Sequence, residues 1–366
     1  MADMQLAATV AGRGLDVEFS VAAGEVLAIL GPNGAGKSTA LHIIAGLLWP
    51  DTGKVLVGGR TLTDTAANIQ IATHRRRVGL LLQDPLLFPH LNVVENVAFA
   101  PRAHGVGRRG SATIAMRLLE DVGMAEAAHS RPAELSGGQA QRVAIARALA
   151  AEPDVLLIDE PLAGVDIGVA TAVRGALRRV VAKQGRSTVL VTHDLLDVLA
   201  LADKVLVLES GRASQSGPVA EVLAAPRSQF GAQIAGVNLV GGTVAGPGVL
   251  RSPSGALWHG IPAEDIERDQ PAVAVFPPTA VAVYRDFPHG SPRNVAQTTV
   301  AEVTAVGGTV RVRGVEQPGG GAALAADITV GAAAELRLAS GDQVWLSVKA
   351  TEVRLHRISH SAVDSL

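Results

Sequence analysis

Short apolar runs alternate with helical patterns over the first 225 residues. Val26-Leu27-Ala28-Ile29-Leu30 is apolar at every position and runs straight into a glycine-rich turn. Residues 78–82, 155–158, 188–191 and 205–208 repeat that texture. Runs that are apolar at consecutive positions suit strands buried on both faces, and strands separated by helices predict a mostly parallel sheet. Between about 90 and 152 the pattern becomes helical, as at 111–119 and 139–151, which predicts a helical subdomain inserted into the α/β core. After Pro226, valine-rich runs recur between Gly and Pro punctuation at 272–276, 280–284, 298–306 and 344–348. That texture predicts a small all-β, barrel-like domain. The expected domains are 1–230 and 236–366. The uncharged stretch 228–250 is broken by glycines, so it reads as linker and strand and not as a membrane helix.

Composition narrows the function classes. A chain of 366 residues has room for two cores. Lys plus Arg is 32 and Asp plus Glu is 34, a net charge of −2, which argues against bulk electrostatic binding to nucleic acid or anionic lipid. Charged residues are 18% and apolar residues 48%, too few and too many for a disordered chain. Cysteine is absent, which excludes disulfides, thiolate metal sites and cysteine nucleophiles. The start, Met1-Ala2-Asp3-Met4-Gln5, carries no basic residue and reads as no targeting segment.

Gly31-Pro32-Asn33-Gly34-Ala35-Gly36-Lys37-Ser38-Thr39 matches the phosphate-binding P-loop pattern. It follows an expected strand and precedes an expected helix at 39–48, which is the context the chemistry needs. Glycines let the backbone wrap phosphates, and successive N–H groups with the helix N-terminus make an anion nest. Lys37 adds a point charge, and Ser38 supplies a hydroxyl for Mg²⁺. Asp159 and Glu160 emerge at the end of the apolar run 155–158, where ligands sit in such sheets. Asp159 would hold Mg²⁺ through water, and Glu160 would polarise the attacking water.

Leu135-Ser136-Gly137-Gly138-Gln139 opens a further helical pattern. A Ser-Gly-Gly turn at a helix start is a second phosphate-binding device. The P-loop already wraps one side of the terminal phosphate, so the second device suits a partner copy closing over the other side. Ser136 and Gln139 equally read as a capping box, and both roles can hold.

The order P-loop, Gln83, 135–139, Asp159-Glu160, His193 resembles the ATP-binding subunit of an ABC transporter. The resemblance implies an α/β P-loop ATPase core with an inserted helical subdomain, and the cofactors ATP and Mg²⁺. It implies that Gln83 couples nucleotide and metal to the membrane partner, that His193 contacts the γ-phosphate, and that Asp166 crosses a homodimer interface. It departs from the family at residues 8–12, where an aromatic residue usually stacks on adenine and none stands here, and at Val165, where leucine is usual. His356 and His360 stand four apart, and a frayed tail is expected there in preference to a metal site.

A narrower resemblance is to molybdate importer ATPases. It rests on Arg75-Arg76-Arg77 through Leu91 and on the tail: Ser291-Pro292-Arg293-Asn294, Asp327-Ile328-Thr329, and Gly341-Asp342 through Val353. It implies that the tail domain binds oxyanion, with Ser291, Arg293 and Lys349 as candidates. Gln317-Pro318-Gly319-Gly320-Gly321 reads as an insertion lengthening one hairpin. The implied partners are an integral-membrane permease, a second copy in the ATP state and, indirectly, a periplasmic or extracellular binding protein. Nucleic acid is not among them, and the expected location is the cytoplasmic face of the membrane, peripherally. The alternatives are an importer of sulfate, iron or sugar, and a non-transport ABC ATPase. The apolar run Leu86, Leu87, Phe88, Leu91 and Val93 is expected to dock a permease helix.

Overall fold

The computed structural model describes residues 3–163, 167–316 and 323–358. The chain divides into two compact units, Met1–Val219 and Ala220–Leu366. In the first unit the elements run β1 (Met4–Val10), β2 (Leu15–Val21), β3 (Val26–Leu30), α1 (Lys37–Ala45), β4 (Thr52–Val57), β5 (Arg60–Asp64), β6 (Ile69–Gln70), β7 (Val78–Leu81), α2 (Val93–Ala103), α3 (Arg108–Asp121), α4 (Gly137–Ala150), β8 (Val155–Asp159), α5 (Ile167–Gln184), β9 (Ser187–Val191), α6 (Leu195–Leu201), β10 (Lys204–Glu209) and β11 (Arg212–Pro218).

The central sheet has the order β11-β10-β3-β9-β8-β7, parallel except for β11 at its edge. Its strands read as unbroken apolar runs because both faces are covered. In β8, Leu156 and Ile158 pack into a core with α4, α5 and the helical subdomain. Val155 and Leu157 point the other way, into a core with Leu41, Ile43 and Ile44 of α1. That second core is closed by an antiparallel sheet, β2-β1-β4-β5-β6, which the sequence reading did not anticipate. Its signal is a period of two: Leu15 and Val17 are buried while Asp16 and Glu18 are exposed.

Arg76 joins the two sheets. It is only 1% exposed. Its Nη1 donates to the Ile43 and Ile44 carbonyls, both at 3.0 Å, its Nη2 to Thr63 Oγ1 at 2.9 Å, and its Nε to the Ile71 carbonyl at 2.8 Å. The guanidinium thus caps the last turn of α1, where a cation complements the helix dipole, and holds that helix to β5.

The second unit runs α7 (Val219–Ala224), α8 (Gln229–Ala235), β12 (Asn238–Gly246), β13 (Val249–Arg251), β14 (Leu257–His259), β15 (Ile261–Pro262), β16 (Pro271–Phe276), β17 (Val281–Tyr284), β18 (Asn294–Val306), β19 (Thr309–Gly314), β20 (Ala325–Thr329), α9 (Val330–Leu336), β21 (Gln343–Val348) and β22 (Arg354–Arg357). One sheet is β14-β13-β12-β16-β22-β15. The other, β17-β21-β18-β19-β20, is antiparallel throughout and curls until β17 lies beside β20, which is the barrel-like domain expected. The two sheets share one core, in which Trp258 stacks on Phe276 at 5.4 Å between ring centres.

Two expectations are corrected here. The stretch 228–250 is not only linker and strand, because it holds α8, capped by Ser228 Oγ accepting from the Gly231 N–H and closed by left-handed Gly236. His356 does not lie in a frayed tail, because it pairs with Val273 in the β16–β22 ladder. His360 and the 317–321 insertion lie outside the described residues.

Arg76→Ala should strand two α1 carbonyls and open a cavity beside them, lowering unfolding free energy by about 3 kcal/mol or more. Urea denaturation measures this, and Arg76→Lys should recover only part, because an ammonium cannot span four acceptors in one plane.

Candidate functional site

Strand register assembles the site. Ile29 of β3 pairs with Val191 of β9, Asp159 of β8 pairs with the same Val191, and Leu81 of β7 pairs with Ile158. The residues just beyond these pairs therefore share one edge of the sheet: Gly31 after β3, His193 after β9, Asp159 and Glu160 at the end of β8, and exposed Gln83 after β7. This is the carboxyl edge, where parallel α/β sheets bind ligands.

The 31–39 turn is built by exclusion. A Cβ on Gly31 would lie 2.1 Å from the Leu208 carbonyl oxygen of neighbouring β10, so no other residue fits. Gly36, the N-cap of α1, has φ of 98°, a conformation that favours glycine. The N–H groups at the first turn of α1 have no partner within the helix. Lys37 is 6% exposed, and its Nζ donates to the Gly31 and Pro32 carbonyls at 2.7 and 2.9 Å. An ammonium has three donors, so one remains for an anion. Burial lowers the Lys37 pKa, while the charges of Glu160 and Asp159 raise it. Pro32, Asn33 and Gly34 are exposed at the rim, and Ala35 and Thr39 are buried beneath.

Burial raises the Asp159 pKa, and a hydrogen bond from Ser38 opposes that shift. Among the described residues no cluster of three His, Cys, Asp or Glu could hold a metal alone. The oxygens of Ser38 and Asp159 fit Mg²⁺, which is commonly held by one or two carboxylates together with substrate phosphates. Glu160 has φ of 43°, uncommon for a non-glycine residue, and its N–H donates to the Val191 carbonyl at 2.9 Å. This turn off β8 brings its Oε2 to 3.6 Å from His193 Nδ1.

His193 is bracketed by a network that sequence reading missed. Arg174 of α5 bridges Asp197, at 2.6 Å, and Asp194, at 3.2 Å. Thr192 Oγ1 donates to Asp197 Oδ2 at 3.0 Å and accepts from the Asp194 N–H at 3.1 Å. The residues on both sides of His193 are therefore fixed. Only the Asp194/Asp197 spacing was visible in the sequence. Arg174 comes from the preceding helix, α5, 20 residues before Asp194.

The 135–139 turn caps α4. Ser136 Oγ accepts from the Gln139 N–H at 3.3 Å, and Gln139 Oε1 accepts from the Ser136 N–H at 2.9 Å. Gly137 and Ser136 are exposed, and Gly138 is buried. No hydrogen bond among the described residues joins this turn to the 31–39 turn, whereas α4 does bond the loop after β7. Gln141 donates to the Leu82 carbonyl at 3.3 Å, and Arg147 donates to the Leu86 and Pro85 carbonyls at 2.7 and 2.8 Å. The Arg147 guanidinium also lies 5.3 Å from the Phe88 ring centre.

The apolar run in that loop divides. Leu86 is exposed, Leu87, Phe88 and Leu91 are half-buried, and Phe99 lies 4.7 Å from Phe88 and is exposed. Val93 does not belong to the patch: it is fully buried in the helical core, at the first position of α2. Asp166 lies outside the described residues. In the second unit, Lys349 and Pro292 line a cavity of about 390 Å³ with Tyr284, Ser347 and Glu352. Ser291 and Arg293 flank Pro292 in the chain and are exposed, and neither lines that cavity.

A P-loop, an acidic pair and a histidine on adjacent parallel strand ends, with a capped Ser-Gly-Gly helix start in an inserted helical subdomain, define an ATP-binding cassette. The ABC transporter model matches residues 15–163, and the TOBE domain model matches 290–355. The chain is 62% identical, over the full length of both proteins, to the molybdenum import ATP-binding protein ModC of Mycobacterium tuberculosis, in strains H37Rv and CDC 1551. It is 40% identical over 72% of its length to the Fe(3+) ions import ATP-binding protein FbpC of Streptomyces avermitilis. The dimeric structure of MJ0796, a bacterial ABC transporter cassette, matches 59% of this chain and 98% of that one, with TM-score 0.51 and 29% identity. A post-hydrolysis state of the same cassette, bound to ADP and Pi, matches with TM-score 0.50. The chain belongs to the ABC transporter family of ATP-binding subunits and carries a TOBE domain.

Thr192→Val removes the hydroxyl that ties both flanks of His193. It should lower kcat for ATP hydrolysis tenfold or more while changing KM little, because it disturbs a reacting geometry and not the phosphate nest. Steady-state kinetics check this, and a proportionate rise in KM with unchanged kcat would contradict it.

Proposed function

We propose that the chain is the ATP-hydrolysing subunit of a molybdate importer, driving a separate integral-membrane permease from the cytoplasmic face. Tungstate is nearly isosteric with molybdate and falls within the same reading. The observation that carries it is the full-length identity to a molybdenum import subunit, spanning cassette and tail alike. Among the described residues no helix is long and apolar enough to cross a membrane, which agrees with a pore supplied by another chain.

Each residue takes a role from its place on the sheet edge. The 31–39 turn wraps the β- and γ-phosphates, and Lys37 donates its remaining proton to them. Ser38, Asp159 and Gln83 would hold Mg²⁺, which when bound would neutralise phosphate charge. Glu160 accepts a proton from the attacking water, and His193, placed by the Arg174 network, senses the γ-phosphate. Ser136, Gly137, Gly138, Gln139 and Asp166 act across a head-to-tail homodimer on the other copy's nucleotide. Leu86, Leu87, Phe88, Leu91 and Phe99 receive a permease helix. A binding protein outside the cell hands the oxyanion to the permease.

The tail is proposed to take the same oxyanion through Lys349, Arg293 and Ser291. Lys349 and Glu352 both line the cavity and carry opposite charges. Preference for a dianion then asks for a further cation, and Arg293, next in the chain to cavity-lining Pro292, is the candidate.

Glu160→Gln should cut ATP turnover about a hundredfold or more and trap an ATP-bound dimer visible by light scattering. Undiminished turnover in that variant would remove the base from the scheme. Vesicles carrying the permease and this subunit should take up molybdate and tungstate in preference to sulfate. Equal uptake of sulfate would overturn the substrate assignment. Calorimetry of the full chain should show molybdate binding that Arg293→Ala with Lys349→Ala abolishes. Unchanged binding would leave the tail structural.

A further inference from the structure

We infer that Arg13 is the stacking platform for the nucleobase, its guanidinium plane taking the base from outside the phosphate cradle. The observation is a hydrogen bond: Arg13 Nη1 donates to Thr39 Oγ1 at 3.3 Å. Thr39 is the third residue of α1, beyond Lys37 and Ser38. The charges of Glu160 and Asp159 act on Lys37, and Ser38 opposes the upward shift of Asp159, so these two mark the end of the cradle where the terminal phosphates and the acids meet. A nucleotide seated that way sends its ribose and base out past Thr39. Arg13 is the side chain bonded there.

The turn that carries Arg13 is fixed. The Ala11 N–H donates to Asp51 Oδ2 at 2.7 Å, and the Gly14 N–H donates to the Ala11 carbonyl at 3.0 Å, with Gly14 left-handed at φ of 60°. The Asp16 N–H donates to the Gly211 carbonyl at 2.8 Å. Leu15 packs under the P-loop, its Cδ1 lying 2.7 Å from where a Cβ on Gly36 would stand. Arg13 itself is exposed, and no ion pair to a carboxylate is found for it among the described residues. An exposed Arg held at one nitrogen can present its planar cation to a ligand, and such a plane stacks on any base. No aromatic residue stands in 8–13. The consequence is weak base selectivity: adenine and guanine nucleotides bind within a few-fold of each other.

The inference rests on the assignment of the 31–39 turn to the phosphates, and the test separates the two. Calorimetry of the full chain is run with ADP, GDP and inorganic tripolyphosphate. Arg13→Ala should weaken ADP and GDP binding roughly ten- to a hundredfold and leave tripolyphosphate binding unchanged. Arg13→Trp should retain nucleotide affinity, and Arg13→Lys, which keeps the charge but not the plane, should not. Unliganded thermal midpoints equal to the parent's show that the exposed substitutions leave the fold intact. A parallel loss for tripolyphosphate would make Arg13 a phosphate ligand and overturn the stacking role, as would unchanged ADP affinity in Arg13→Ala. Failure of the unsubstituted chain to bind tripolyphosphate would overturn the cradle assignment itself.

Discussion

The constraint on which the rest depends is the parallel register of β3, β9, β8 and β7. One slip of two residues in the β8–β9 pairing would carry Asp159 and Glu160 away from His193 and from the turn after β3. That register is held because each strand is buried on both faces, so a slip would break packing against α4 and α5 on one side and α1 on the other. The chemistry needs side chains placed to a fraction of an ångström. The sheet supplies that placement through hydrophobic packing that takes no part in the chemistry.

A second layer of fixation is polar and long-range. Arg76, Arg147 and Arg174 each bridge separate elements: α1 to β5, α4 to the loop after β7, and α5 to the loop after β9. Two of the three bond chiefly to backbone carbonyls, so no acidic partner marks them in the sequence. Arg147 ties the last turn of α4, the helix capped at Ser136, to Pro85 and Leu86 of the loop that carries Gln83.

What was legible in the sequence was local. The 31–39 turn declares itself by glycines and a lysine at fixed spacing, and the α/β alternation by apolar runs of strand length. The acids at 159 and 160 follow from the run before them. The antiparallel sheet was overlooked because its strands at 4–10 and 15–21 alternate apolar with polar residues and lie beside the louder signal of unbroken apolar runs. α8 was hidden by Gly231 within the helix, although its caps, Ser228 and Gly236, were in view. Val93 looked like surface because it continues an apolar run, but as the first residue of α2 it faces the helical core. The Arg174 network was invisible, since pairings across folded helices leave no spacing to read.

The seating of β3 sets a clock on synthesis. Its partners are β9 and β10, which end at Val191 and Glu209, while β3 itself ends at Leu30. At roughly 5–20 residues per second, the five apolar residues of β3 wait on the order of ten seconds or more after leaving the ribosome before either neighbour exists. The antiparallel strands β1 and β2 can pair at once, but the strand that ends in the phosphate turn cannot. A nascent chain of this kind therefore spends its early life with β3 unpaired along both edges, even where β1, β2 and α1 can already cover one of its faces. The nucleotide site is incomplete throughout that interval, because Asp159, Glu160 and His193 are synthesised long after β3.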